Sequence, residues 1–148
     1  MSADQPVTVV GYDGSAPAYR ALEYAIARLG LGSLCIVYAW EPPAMLPGAE
    51  VYPTVAASSL ARAEALLQDL PQRHPRLADV AWVCRLTEGR PCAAIERVAR
   101  ETGATQIVVG THGFRRVRGA IGSTAHALLH DAPCPVTVVP PRAVIVAA

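Results

Sequence analysis

The chain has no lysine and no asparagine, and all 13 of its basic residues are arginine. The missing lysine removes every mechanism that needs one. A Walker A phosphate grip, a Schiff base and a lysine general base are all excluded. Aromatic residues are scarce at 5%, with a single phenylalanine, so no base-stacking platform is expected. Acidic and basic residues nearly cancel to a net charge of +1, which suggests neither a nucleic-acid surface nor a polyanion mimic. No apolar run approaches the roughly 20 residues of a membrane span. The stretch Met1 to Pro6 is short and polar, without the apolar core of a signal peptide. A cytoplasmic protein with no membrane contact and no nucleic-acid partner is expected. The four cysteines, Cys35, Cys84, Cys92 and Cys134, form no C-x-x-C pair. Reduced core thiols are the simplest reading, with zinc or redox use as the alternative.

What is present points to a globular fold. The 148 residues are 52% hydrophobic and suit one domain spanning 1–148, large enough to bury a core unaided. Strand-like and helix-like segments alternate. Strands are expected at Val7–Tyr12, Leu34–Trp40, Val80–Leu86, Gln106–Val109 and Val136–Val139. Helices are expected at Ala16–Leu29, Ser58–Leu70, Pro91–Thr102 and Ser123–His130. The first has apolar residues at Ala18, Leu22, Ala25, Ile26 and Leu29, which form one helical face. Ser15 is placed to cap it and Pro17 sits in its first turn. Glu41–Pro53 holds four prolines and reads as a loop. Pro71 is expected to stop the second helix, and Gly103 to end the third. Strands one, two and four are apolar throughout rather than alternating, as strands covered on both faces are. Five strands alternating with four helices predict a doubly wound parallel sheet with right-handed crossovers.

In such sheets ligands bind beyond the carboxyl ends of the strands, where strand order reverses. Two segments there carry chemistry. Gly11-Tyr12-Asp13-Gly14-Ser15 follows strand one. Gly110-Thr111-His112-Gly113 follows strand four, and Gly122-Ser123 opens the last helix. Glycines let a backbone approach a ligand closely. A helix N-terminus offers free N–H groups and a favourable dipole to phosphate. Ser123 supplies a hydroxyl at the expected cap position. Arg115, Arg116 and Arg118 supply charge suited to phosphate. Each feature also has a structural reading. The glycines make a tight turn and a helix start, the arginines are solvated, Asp13 is a turn residue and His112 fills a turn position. No G-x-G-x-x-G follows strand one, which disfavours a dinucleotide site. His126 and His130, four apart on a helix, have no clear third partner for a metal. No nucleophile elbow or catalytic triad order is recognisable, and no catalytic residue is expected.

The chain from Val7-Thr8-Val9-Val10-Gly11-Tyr12-Asp13-Gly14-Ser15 through Pro133-Cys134-Pro135-Val136-Thr137-Val138-Val139 resembles the universal stress protein family. The most specific part is Ile107-Val108-Val109-Gly110-Thr111-His112-Gly113 with the later Gly122-Ser123. ATP-binding members carry Gly, two residues, Gly, nine residues, then Gly and Ser or Thr. Here eight residues, Phe114–Ile121, fill the longer gap, one fewer than that pattern. The resemblance implies an adenine nucleotide alpha hydrolase-like sheet of order 3-2-1-4-5 and a homodimer paired through strand five. It implies ATP, alone or with Mg²⁺, as the ligand. Asp13 would meet the ribose and the backbone of Ala39 the adenine. Gly110, Gly113, Gly122 and Ser123 would hold the phosphates, with His112 and Arg115 beside them. The function implied is a nucleotide-binding regulatory module that works through its dimer and partner contacts in stress response. A slow ATPase is the enzymatic alternative, opposed by the missing lysine and the lack of a base to activate water. A nucleotide-independent interaction dimer is the other, supported by the shortened loop.

Overall fold

A computed structural model describes residues 5–42, 52–112 and 121–145, with Tyr52 and Pro53 described in their backbone alone. Its strands are β1 (Val7–Gly11), β2 (Ser33–Trp40), β3 (Ala81–Glu88), β4 (Gln106–Gly110) and β5 (Val136–Val139). Its helices are α1 (Ala16–Arg28), α2 (Tyr52–Gln68), α3 (Leu70–Arg73), α4 (Pro91–Thr102) and α5 (Ser123–Asp131). The strands form one parallel sheet, as their alternation with helices predicts, and its order is β3-β2-β1-β4-β5, as the family resemblance implies.

The apolar runs have the expected cause. Neighbours Val9 and Val10 in β1 point to opposite faces, and both are 0% exposed. Val10 packs with Leu22 of α1, Ile36 of β2 and Leu70 of α3. Val9 packs with Cys35 of β2, Ile95 and Val98 of α4, and Ile107 of β4. Helices therefore cover the sheet on both sides. Burying each such side chain contributes about 1.5–3 kcal/mol relative to exposure.

The start of α1 forms as its sequence dictates. Ser15 Oγ accepts a hydrogen bond from the Ala18 N–H at 3.3 Å, and Pro17 occupies the first turn. At the far end of α4, Gly103 takes a left-handed conformation with φ of 59°. This lets the Ala104 N–H return to the Ala99 carbonyl at 2.9 Å.

The second crossover departs from expectation. Helix α2 begins at Tyr52, six residues earlier than Ser58, and ends at Gln68. Pro53 does not delay it, because a proline in the first turn forfeits an N–H that has no helical partner anyway. Pro71 likewise opens α3 instead of stopping the chain, and a 3-10 turn, Pro75–Asp79, follows. The described residues thus hold five helices, not four. Strand β3 runs on to Glu88 because β2 still pairs with it there, Trp40 opposite Glu88. Among the cysteines, which are all free, Cys35 is buried but Cys84 is exposed on the edge strand β3, contrary to a uniform set of core thiols. No helix among the described residues is long and apolar enough to cross a membrane.

Candidate functional site

Strand β1 ends at Gly11, where a larger residue would collide with its cover. A Cβ there would lie 2.7 Å from Ile95 Cδ1 and 3.0 Å from Val109 Cγ1. The chain then turns through Gly14, whose φ of 81° suits a residue without a side chain. Asp13 Oδ1 accepts a hydrogen bond from the Ser15 N–H at 2.9 Å, fixing the turn into α1. The structural reading of Asp13 is therefore met.

Strand β4 ends at Gly110 against the first turn of α1. After it, His112 Nδ1 lies 2.9 Å from Thr111 Oγ1. His112 Nε2 is shielded from solvent and has no hydrogen-bond partner among the described residues. The Gly122 N–H returns to the Thr111 carbonyl at 2.6 Å, so both ends of the intervening loop are tied together. A Cβ on Gly122 would lie 2.9 Å from that same carbonyl oxygen. Gly122, with ψ of 154°, is the residue that caps α5, and Ser123 is the first residue of the helix. The expectation that Ser123 takes the cap position is thus displaced by one residue. Its cause is the tight Thr111–Gly122 contact, which only glycine accommodates.

Strand β2 outruns β1. Their ladder stops at Gly11 opposite Val37, while β2 continues to Trp40 beside β3. The Tyr12 N–H bonds the Val37 carbonyl at 2.9 Å, and the Gly89 N–H bonds the Trp40 carbonyl at 3.0 Å. Backbone groups alternate sides along a strand. The N–H and C=O of Ala39 therefore point the way Val37 does, along the line where β1 no longer runs.

These three strand ends surround a cavity of about 480 Å³. That volume lies within the range of small-molecule sites. The cavity brings together six of the predicted residues: Asp13, Ala39, Gly110, His112, Gly122 and Ser123. Gly113 and Arg115 lie outside the described residues, as do Arg116, Arg118 and most of the eight-residue spacer. Sequence reasoning missed the apolar walls, Val37, Ile95, Val109 and Ile121, and the polar Thr111 and Thr124. Val37 and Val109 were legible only as core strand residues, and nothing in the spacing of Ile95 separates a cavity wall from helix packing.

Burial pushes the phenol of Tyr12 up from its ordinary value, and the nearby Arg73 guanidinium partly opposes this. Burial also raises Cys92, beside Pro91 of the wall, to about 12, helped by its thiol donating to Glu96 Oε1 at 2.9 Å. His126 and His130 stand with ring centroids 5.0 Å apart on α5. Among the described residues no three His, Cys, Asp or Glu side chains gather as metal ligands.

An open, doubly wound α/β sheet with a cavity at its switch point is thus the class that fold and site define. The chain belongs to the universal stress protein family, whose pattern it matches over residues 7–140. It is 31% identical over 147 residues to a universal stress protein of Mycobacterium tuberculosis, covering 97% of this chain and 51% of that protein. The chain therefore spans about half the length of the curated relatives it matches there. Among solved structures it is similar to the universal stress protein UspA of Lactobacillus plantarum. That match has 26% identity and a TM-score of 0.79 over 90% of this chain and 97% of the other. A universal stress protein solved in complex with cAMP is 27% identical, with a TM-score of 0.65 over 90% of this chain and 96% of that one.

Proposed function

We propose that this chain, as one domain spanning 1–148, binds an adenine nucleotide in the switch-point cavity, with ATP as the ligand. It then acts as a regulatory module in stress response. The observation that carries the reading is the convergence of Asp13, Ala39, Gly110, His112, Gly122 and Ser123 on one cavity. The free backbone edge of Ala39 offers a donor and an acceptor in fixed positions, which matches the edge of an adenine ring. Asp13, which lines the same cavity, suits the ribose hydroxyls. The first N–H groups of α5, at Ser123, Thr124 and Ala125, have no helical partners and suit phosphate oxygens. His112 Nε2 supplies a further polar atom in need of a partner. Gly113 and Arg115 complete the phosphate side of the proposal. Where Mg²⁺ accompanies ATP, the phosphates and water would hold it in the main. The ligand class is supported by the similar protein that was solved with cAMP.

The module works as a homodimer in this reading. β5 is an edge strand that pairs with β4 alone among the described residues, so its outer edge is open to a second copy. The cytoplasm is the proposed location.

Thermal shift and equilibrium dialysis with ATP test the binding. A ligand at 100 times its dissociation constant adds about 2.7 kcal/mol of stability. No shift with millimolar ATP, and no nucleotide released on denaturing the purified protein, would sink the reading and leave a nucleotide-independent dimer. Gly113→Ala is expected to weaken ATP binding. A monomer mass by light scattering at micromolar concentration would refute the dimer.

A further inference from the structure

Behind the cavity lies a buried polar cluster that the nucleotide reading does not use. His74, at the end of α3, is 0% exposed. Its Nδ1 lies 2.7 Å from Glu23 Oε1 on α1, and its Nε2 lies 3.3 Å from the Tyr12 hydroxyl. Tyr19 of α1 stacks on the imidazole, with centroids 4.1 Å apart and planes 28° apart. Arg76 Nη1 stands 3.8 Å from Glu23 Oε2. The titratable and charged groups facing His74 are thus Tyr12 after β1, Tyr19 and Glu23 on α1, Arg76 on the 3-10 turn, and Arg73 on α3 beside the Tyr12 phenol.

The donor and acceptor rules fix the direction of these bonds. A carboxylate only accepts, so Nδ1 carries a proton toward Glu23. In the neutral ring Nε2 is then an acceptor, and the Tyr12 hydroxyl donates to it. Tyr12 also lines the cavity, and its backbone N–H holds Val37, another wall residue. Tyr12 is followed directly by Asp13. When His74 takes up a second proton, both ring nitrogens become donors. The Tyr12 hydroxyl must then receive where it gave, and the nearby Arg73 guanidinium is also only a donor. The phenol oxygen can accept, but its buried proton is then left without an acceptor among the described residues, a cost that weakens the Tyr12–His74 pairing.

We infer that His74 is a positioning residue for the nucleotide cavity, and that its protonation releases Tyr12 and weakens nucleotide binding. This rests on the nucleotide reading above. The neutral Glu23–His74–Tyr12 chain holds the wall in its binding shape, and the imidazolium does not. Binding and protonation are then linked in both directions.

The test uses the full chain with ATP as the probe. NMR of the imidazole signals gives the titration midpoint of His74 with and without saturating ATP. ATP affinity is measured across that midpoint for the wild type and for Tyr12→Phe, which keeps the ring and removes only the hydroxyl. Reading the ratio of the two affinities cancels any pH effect common to both proteins, that of the phosphates included. Above the midpoint the wild type is expected to bind about three- to tenfold tighter, the range of one hydrogen bond. Below it the ratio is expected to fall to one, and ATP is expected to lower the midpoint. His74→Gln should bind without this step; if it fails to fold, Tyr12→Phe carries the test. A ratio that stays constant through the midpoint, with an unmoved His74 signal, overturns the coupling and leaves the nucleotide site standing. Absence of ATP binding by the wild type at every pH overturns the site and the coupling together.

Discussion

Gly110 at the end of β4 touches the backbone of Pro17 in α1. A Cβ on Gly110 would lie 2.7 Å from the Pro17 carbonyl carbon and 2.8 Å from its oxygen. Backbone cannot swing aside as a side chain does, so the methyl of Gly110→Ala must push helix and strand apart. The variant is expected to lose about 1–3 kcal/mol of stability, as overpacked sites do. Urea melts without nucleotide measure this. A loss seen only in the presence of ATP would mean that Gly110 serves the ligand and not the packing.

Asp13 has two roles that one pair of substitutions separates. Asp13→Asn retains a carbonyl oxygen for the Ser15 N–H, so its stability should stay within about 0.5 kcal/mol of wild type. Asp13→Ala removes the acceptor and should cost about 0.5–1.5 kcal/mol. Both should weaken ATP binding if the carboxylate meets the ribose. An Asn variant that binds ATP as wild type does would confine Asp13 to the turn.

Alkaline pH should destabilise the fold through Cys92. Its thiol ionises near 9.0 ordinarily and near 12 in the folded chain. Between those values the unfolded chain has shed a proton that the folded one keeps, so stability falls as pH rises. The contribution is intact below pH 9.0 and fades toward 12. Denaturant melts at pH 8 and pH 10.5 should show the decline, and Cys92→Ala should flatten it. Tyr12 and the buried Cys35 lean the same way, since burial raises both. An equal slope in the variant would discount Cys92.

The four free thiols should react in order of access. Maleimide on the native protein is expected to label Cys84 first and Cys35 last, because Cys84 is exposed and Cys35 is 0% exposed. Peptide mass mapping over time checks this. Early labelling of Cys35 would show that β2 opens under native conditions.

The sheet and six of the residues that line the candidate cavity were legible because their signals are local. Val9 and Val10 in β1 and Ile107–Val109 in β4 put apolar residues on both faces, and glycine or serine follows where the chain must turn or cap. Proline misled where the same residue can either stop or start a helix. Pro53 and Pro71 open α2 and α3, and only the surrounding packing of Leu67 and Leu70 on the sheet decides between the two roles. Ser123 lost the cap position to Gly122 because the contact with Thr111 comes from a residue eleven positions away. His74 gave no signal at all. Its partners Glu23, Tyr12 and Tyr19 are more than fifty residues distant, and no local pattern marks a histidine that will be sealed between helices.

The three residues by which β2 outlasts its ladder with β1 have a further consequence. The edge presented at Ala39 is a property of strand length and not of the alanine. Any residue except proline offers the same N–H and C=O there. Two chains with different side chains at this position would present one hydrogen-bonding face, whereas a chain with β1 longer by two residues would present none. Selectivity of that kind is inherited through insertions and deletions, and substitutions at the position leave it intact.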